Sequence, residues 1–446
     1  MSESIESQLW PLPVVAVLLS VVLGIVLPRV DLLVDAGLPA GVGSVVFNGG
    51  AETARAVLSS IAGSLITATS LTFSLTVVAL QLASSQASPR VLRLFARDRR
   101  VHATLAVFLG TFAYSITVLR SVRSATGDVP EFVPRVAVTL GFVLTLISVI
   151  MLVFFLAHLA AQLRVETILK DIHAETDRTI DLVGDSYATA GAYALRVREP
   201  EKKNTVTAPS SGFITSRDRS ALVAFAASRG IVIEECKRVG DNIVTDTPLA
   251  FWWTGDDHKA GVDQMAVEKA IRGAHAIGYE RTAAQDIDYG VQQIVDIGVR
   301  ALSPGINDPT TAVHALGHLS AIISRTVALS RLPAGLAGPD GQLCVVTVSR
   351  QPGEMVHDAL SQIRHYGSGD ASVVTRFLQV ISDLAYTCRE RDVHVALVKQ
   401  LGALEQQLHN NDLDPVAVAE MLTATTAVTA RIAGEPHRGV AEIGVT

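Results

Sequence analysis

The chain has 446 residues, 49% of them hydrophobic and 18% charged, with a formal net charge of −6 and a mean hydropathy of +0.37. That composition excludes an ordinary soluble globular protein, and the acidic balance excludes a nucleic-acid binder that works through a basic surface. The apolarity is uneven. Residues 1–160 hold ten arginines, no lysine and eight acidic residues, against 27 basic and 35 acidic groups in residues 161–446, so the front reads as a membrane domain and the back as a soluble acidic one. Cys236, Cys344 and Cys388 lie far apart with no CxxC pair, which suggests neither a disulfide framework nor a zinc site and fits a reducing cytoplasm.

A hydrocarbon core of roughly 30 Å needs about 20 apolar residues as a helix. Four stretches meet or approach this: Leu12–Leu27, Ala56–Ala83, Val101–Leu119 and Val136–Ala160. The first is preceded by "MSESIESQLW", which lacks the basic region of a cleavable signal, so it reads as a span. The loop "PRVLRLFARDRR" between the second and third stretches is rich in arginine and is expected to stay in the cytoplasm. The topology then has four transmembrane helices with both termini cytoplasmic. His102 and His158 fall near the cytoplasmic ends of the third and fourth spans, as interfacial residues or as pH-sensitive ones.

The second span, "SLITATSLTFSLTVVALQLASSQASPR", is unusual. No charge occurs from Ala56 to Pro89, yet Ser64–Ser88 holds ten Ser or Thr residues together with Gln81 and Gln86. On a repeat of alternating three and four residues, Ser60, Ser64, Thr67, Ser74, Gln81, Ser85 and Ser88 share one stripe, interrupted by Leu71 and Val78. Such a stripe either packs helices closely or lines water, where hydroxyls and amides replace part of a solute's hydration shell. Arg90 and Arg93 would then ring the cytoplasmic mouth of an oligomer.

After the fourth span, "AHLAAQLRVETILKDIHAETDRTIDLV" continues as a helical stalk over 161–204. Residues 205–254 alternate short apolar runs with Pro and Gly turns, and "APSSG" and "VGDNIVTDTPL" look like the ends of a small β-barrel of the lipoyl or barrel-sandwich type. Thr247 replaces the usual Gly, and the hairpin lysine that carries a lipoyl group is missing, so a docking or structural module with no cofactor is expected. Residues 255–432 read as a mainly helical cytoplasmic domain with one or two strands, including one within 341–350, and 433–446 as a loose tail.

The densest polar pattern is "ERTAAQDIDYGVQQIVDIGVRALSPGINDPTTAVHALGHL". Arg281, Gln285, Asp288, Gln292 and Asp296 share a broad helical face with Arg300 one turn on, and Asp286 lies beside them. Asp296 and Arg300 are spaced for an i,i+4 pair. Asn307 and Asp308 belong to a helix stop and restart, with Asp308 as N-cap and Pro309 in the first turn. This cluster either fixes an interface or binds a ligand. His314 and His318 are four apart, but no third ligand is evident and no metal is assigned. No P-loop, GxGxxG, GxSxG or EF-hand motif occurs.

The segments "SLTFSLTVVALQLASSQASPRVL", "RTAAQDIDYGVQQIVDIGVRALSPGINDPTTA" and "ALSQIRHYGSGD" resemble the bacterial predicted membrane proteins of the family known as domain of unknown function 2254. The resemblance covers nearly the whole chain and implies a multi-pass inner-membrane protein with a cytoplasmic C-terminal domain; it implies no activity. The expectation is a membrane α-helical fold followed by a cytoplasmic α+β region. The function that explains stripe, helix length and arginine-rich mouth together is a homo-oligomeric channel for ions or a small solute. The alternative is a membrane-anchored sensor or scaffold. An enzyme built on the Arg281–Arg300 cluster ranks last, and no catalytic residue is assigned. The expected surroundings are a lipid bilayer and further copies of the chain, and no nucleic acid.

Overall fold

The computed structural model describes residues 10–34, 46–86, 98–125, 130–162, 164–189, 192–193, 200, 202–254, 262–329, 335–410 and 414–434. The chain divides into two compact units, Met1–Thr167 and Ile168–Thr446.

The first unit contains α1 (Pro11–Val34), α2 (Ala51–Gln86), α3 (Arg99–Leu119) and α4 (Arg135–Gln162). Unbroken apolar composition makes these helices, because in lipid every backbone polar group must find its partner within the segment. The third helix is the centre, packed by the other three. Small residues let α1 reach it closely: a Cβ at Gly24 would lie 2.9 Å from Thr117 Cβ, and one at Gly110 would lie 2.9 Å from Ser20 Oγ. The start of α4 is capped from another helix, since the Val136 and Ala137 N–H groups donate to the Asp31 carboxylate at 3.1 and 3.0 Å. The Tyr114 hydroxyl donates to the Ala137 carbonyl at 2.7 Å. Two further cross-links hold the start of α2 and the segment before it, from Ala51 N–H to Glu131 (2.5 Å) and from Phe47 N–H to Thr139 Oγ1 (2.9 Å). At the other end, His158 of α4 contacts Asp98, the N-cap of α3, through Nε2 and lies 2.9 Å from Arg100 through Nδ1.

The second unit holds α5 (Val165–Thr189) over nearly all its length, nine short strands and eight further helices among the described residues. The strands are β1 (Ala192–Tyr193), β2 (Asn204–Thr207), β3 (Gly212–Arg217), β4 (Ile231–Glu235), β5 (Asn242–Ile243), β6 (Pro248–Thr254), β7 (His275–Gly278), β8 (Gly335–Ala337) and β9 (Leu343–Val346). They form two open sheets, ordered β1-β8-β9-β4-β6-β2 and β5-β3-β7. All pairs are antiparallel except β4 with β9. The small barrel expected over 205–254 is therefore not closed among the described residues. A helix, α6 (Arg219–Arg229), capped by Asp218 and ended by Gly230 at φ 62°, separates β3 from β4 and sends them to different sheets. Strands outside 205–254 complete both sheets, including β7 in a stretch that reads as helical in the sequence.

The remaining helices are α7 (Gln264–Gly273), α8 (Ile287–Ala301), α9 (Pro309–Leu329), α10 (Pro352–Gly367), α11 (Ala371–Thr387), α12 (Arg391–His409) and α13 (Pro415–Gly434). Helix α9 is central, with Ala312, Ala315, Leu316, Leu319, Ile322 and Ile323 fully buried, and it packs against α8, α10 and α11. By length and composition, five helices among the described residues can cross a membrane: the four of the first unit and α9.

Candidate ligand cavity and polar membrane face

Two places gather polar chemistry. In the first unit, α2 is one helix of 36 residues, about 54 Å long at ~1.5 Å per residue. Its packed face runs through Ala54, Leu58, Ile61, Leu65, Thr72 and Ala79. Ser60, Ser64, Thr67, Ser74 and Gln81 lie on the opposite face and are all exposed. Thr67 donates to the Gly63 carbonyl of its own helix (2.9 Å), while Ser60, Ser64, Ser74 and Gln81 make no side-chain hydrogen bond among the described residues. The exposed side of α2 is mixed, since Ile66, Leu71, Phe73, Val77, Val78 and Leu82 are exposed as well, whereas the outer faces of α1 and α4 are apolar at Leu18, Leu19, Val22, Val149, Ile150, Val153 and Phe154. The Ser85 side chain, Ser88, Arg90 and Arg93 lie outside the described residues.

In the second unit, a cavity of about 760 Å³ is bounded by α5, the end of β3, the start of α6, the 284–288 segment, the end of α9 and the 348–352 segment. One wall is built on a buried ionic cluster. Glu235 ends β4 and is 2% exposed. Its carboxylate forms an ion pair with Arg217 Nη1 at 2.6 Å and accepts from Arg219 Nε and Nη2 at 3.1 and 3.2 Å and from Val348 N–H at 3.3 Å. Burial alone would raise this carboxyl, but Arg217 and Arg219 outweigh it and hold the group below the usual range. Arg217 Nε donates to His275 Nε2 at 2.8 Å, and Arg217 also donates to the Lys237 carbonyl. With Nε2 accepting, His275 Nδ1 carries the proton and donates to the Ile271 carbonyl at 2.7 Å. Burial and then the Arg217 charge bring this imidazole down to about 4, so it is neutral at pH 7.

The expected polar cluster is partly assembled here. Gln285 Oε1 accepts from the Arg217 N–H at 2.8 Å. Asp286 is the N-cap of α8 and accepts from Tyr289 N–H at 3.0 Å and from both arms of the Arg281 fork at 2.7 and 2.8 Å. Burial pushes the Asp286 carboxyl up, opposed by that fork. Gly240, at φ 94°, lies against the same carboxylate, where a Cβ would collide. Asp288 pairs with Arg350 at 2.6 Å, and Arg350 also holds Asp358.

The rest of the cluster is elsewhere. Asp296 accepts from Gln292 Nε2 at 2.8 Å, and Arg300 sits in the last turn of α8 with its carbonyl accepting from Ser303, so no Asp296–Arg300 pair forms among the described residues. Asn307 adopts φ 49°, and Asp308 accepts from the Thr311 N–H at 3.2 Å and hydroxyl at 2.6 Å, ordering the entry to α9. His318 faces His173 of α5 (Nδ1 to Nδ1 2.8 Å), and no group of three or more His, Cys, Asp or Glu suited to a metal occurs among the described residues. Sequence reasoning missed Arg217, Arg219, Glu235, Arg238, His275 and Arg350. The one local signal was Glu235 at the end of the apolar run "IVIEE", since a strand that apolar is buried along its length.

The comparisons agree with the apolar helices. The family described as "Predicted membrane protein (DUF2254)" matches residues 6–383. The chain belongs to the DUF2254 family. Similar proteins include uncharacterized proteins of Mycobacterium tuberculosis and Mycobacterium bovis, each 32% identical over 434 residues, covering 95% of this chain and 81% of theirs. No solved structure matches the chain. As a predicted membrane protein, the DUF2254 chain works in a lipid environment.

Proposed function

We propose that this protein is a homo-oligomeric pore for ions or a small solute, with α2 lining the path and the second unit acting as a cytoplasmic regulatory domain. The observation that carries the reading is the outward placement of Ser60, Ser64, Thr67, Ser74 and Gln81. A polar row facing acyl chains gains nothing, and polar groups in membrane helices point to bundle interiors or water. Within one chain that interior is already filled by the opposite face of α2, so the row meets further copies around an axis. Four spans are assigned. Helix α9, the fifth by composition, is read as a core helix because its apolar side is covered by helices of its own unit and it carries His314, His318 and Arg325. The arginine-rich segment before α3 supports a topology in which that loop, both termini and the second unit lie on the cytoplasmic side of a bacterial inner membrane. The reading assigns no catalytic step to the chain.

The test is single-cysteine labelling with a water-soluble thiol reagent in native membranes, in a background free of the three cysteines. Labelling at Ser64, Thr67, Ser74 and Gln81, with protection at Leu58 and Leu65 and flux in liposomes, supports the pore. Protection along the whole of α2 overturns it. The second reading, a membrane-anchored sensor, is favoured by the half-open cavity in the second unit and requires the stripe to be dry.

A further inference from the structure

We propose that the cavity of the second unit is a binding site for a small organic phosphate of about nucleoside monophosphate size. The proposal does not depend on the pore. A volume of about 760 Å³ falls within the range of roughly 300–1,000 Å³ typical of small-molecule sites and far exceeds what a bare anion fills. Three arginines reach the wall from separate segments: Arg219 at the start of α6, Arg238 in the turn after β4, and Arg350 before α10. Arg219 is held by Glu235 and Arg350 by Asp288 and Asp358, with side chains 16% and 14% exposed, and Arg217, 1% exposed, is held by Glu235, so Arg238 is the most open of the cavity arginines.

The ion pair of Arg238, with Asp241, spans 3.4 Å, and its side chain stays 31% exposed. Several guanidinium forks around one space suit a phosphate group, with three terminal oxygens and up to two charges, better than a carboxylate with two oxygens. The wall also carries the Asp218 and Asp288 carboxylates. These repel a bare anion and instead accept from ligand hydroxyl or amino groups, as a sugar or base supplies. Val223, Val239 and Leu329 complete it with an apolar surface for a ring.

The experiment is calorimetric titration of the full-length protein in nanodiscs with adenosine monophosphate, ribose 5-phosphate, adenosine and inorganic phosphate. The expected result is saturable binding of at least one of the two organic phosphates, about tenfold or more tighter than adenosine or inorganic phosphate, because each lost charged hydrogen bond costs about that factor. Arg238→Ala, at a part-exposed side chain, should weaken it by a similar factor, and Ser186→Trp, which fills the cavity from α5, should abolish it. The proposal is overturned if neither organic phosphate binds, if adenosine or inorganic phosphate binds as tightly, or if Arg238→Ala leaves the affinity unchanged. Because Arg238→Ala removes one half-exposed side chain and no buried packing, it keeps the test decisive even where Ser186→Trp disturbs folding.

Discussion

In the first unit, Thr69, Ser70 and Thr76 return their hydroxyls to carbonyls one turn back in the same helix, and the carboxylates Asp31, Glu131 and Asp98 make links near helix ends. In the second unit, Arg217, Glu235 and His275 are buried together and connect β3, β4 and β7 through an ion pair and a charge-assisted hydrogen bond. The difference follows from the solvent each unit meets. A membrane helix satisfies its own backbone and hides hydroxyls in the same ladder, so its remaining polar groups are free to face outward. A water-exposed unit can bury charge only where a partner charge and hydrogen bonds repay the desolvation. Functional polarity is therefore on the surface in one unit and enclosed in the other.

The sharpest way to break that contrast is at Glu235. Glu235→Gln leaves Arg217 buried without its counter-charge, and the expected loss is about 3–5 kcal/mol of unfolding free energy. Denaturant titration of the full chain in detergent, followed by a probe in the second unit, reads it directly. A loss below about 1 kcal/mol would mean that water reaches the cluster.

Acid should act on the same cluster. His275 titrates near 6.5 when unfolded and at about 4 when folded. Between those values the unfolded chain binds more protons, so stability falls as pH drops from about 6.5 to about 4, by at most about 3 kcal/mol. The depressed Glu235 carboxyl adds a loss of the same sign at still lower pH. His275→Gln should flatten the upper part of this profile, measured as unfolding midpoint against pH, and an unchanged slope would remove His275 as its cause.

How much of this was legible follows from contact range. The apolar helices of the first unit stand out because each satisfies its own backbone, and the outward stripe follows from helical spacing alone. The sheets do not stand out. Strands β1, β7 and β8 are two to four residues long, and their pairing joins segments far apart in the chain, where periodicity carries no signal. The expected Arg281–Arg300 network split for a related reason. Helical spacing put Asp288 and Gln292 on one face, but Asp288 found Arg350 across the fold while Gln292 turned to Asp296. The cavity arginines come from three separate segments, none of them unusual in itself.

In the first unit, Asp31→Ala removes the carboxylate that accepts from the Val136 and Ala137 N–H groups at the start of α4. The expected loss is about 1–3 kcal/mol, as for a buried donor left unpaired, seen as a lower midpoint in thermal unfolding of the detergent-solubilised protein. Asp31→Asn keeps one acceptor oxygen and should recover part of it. Recovery no better than with alanine would show that the charge at the helix N-terminus matters more than the hydrogen bond.

The smallest stability effect is expected at the outward stripe. Ser64→Ala and Ser74→Ala delete hydroxyls that bond to nothing else among the described residues. Within one chain they should change the unfolding midpoint by the equivalent of less than about 0.5 kcal/mol. If several copies surround a wet path, the same pair should lower solute flux in liposomes while leaving the monomer fold and the cavity titration unchanged. If instead copies bond to one another through these hydroxyls, the double variant should dissociate the oligomer in a crosslinking or light-scattering assay, since interhelical hydrogen bonds in membranes contribute about 0.6 kcal/mol each and act in every subunit. A stripe with small effect on folding and large effect on flux is one selected for what passes along it, because packing residues change stability and assembly first.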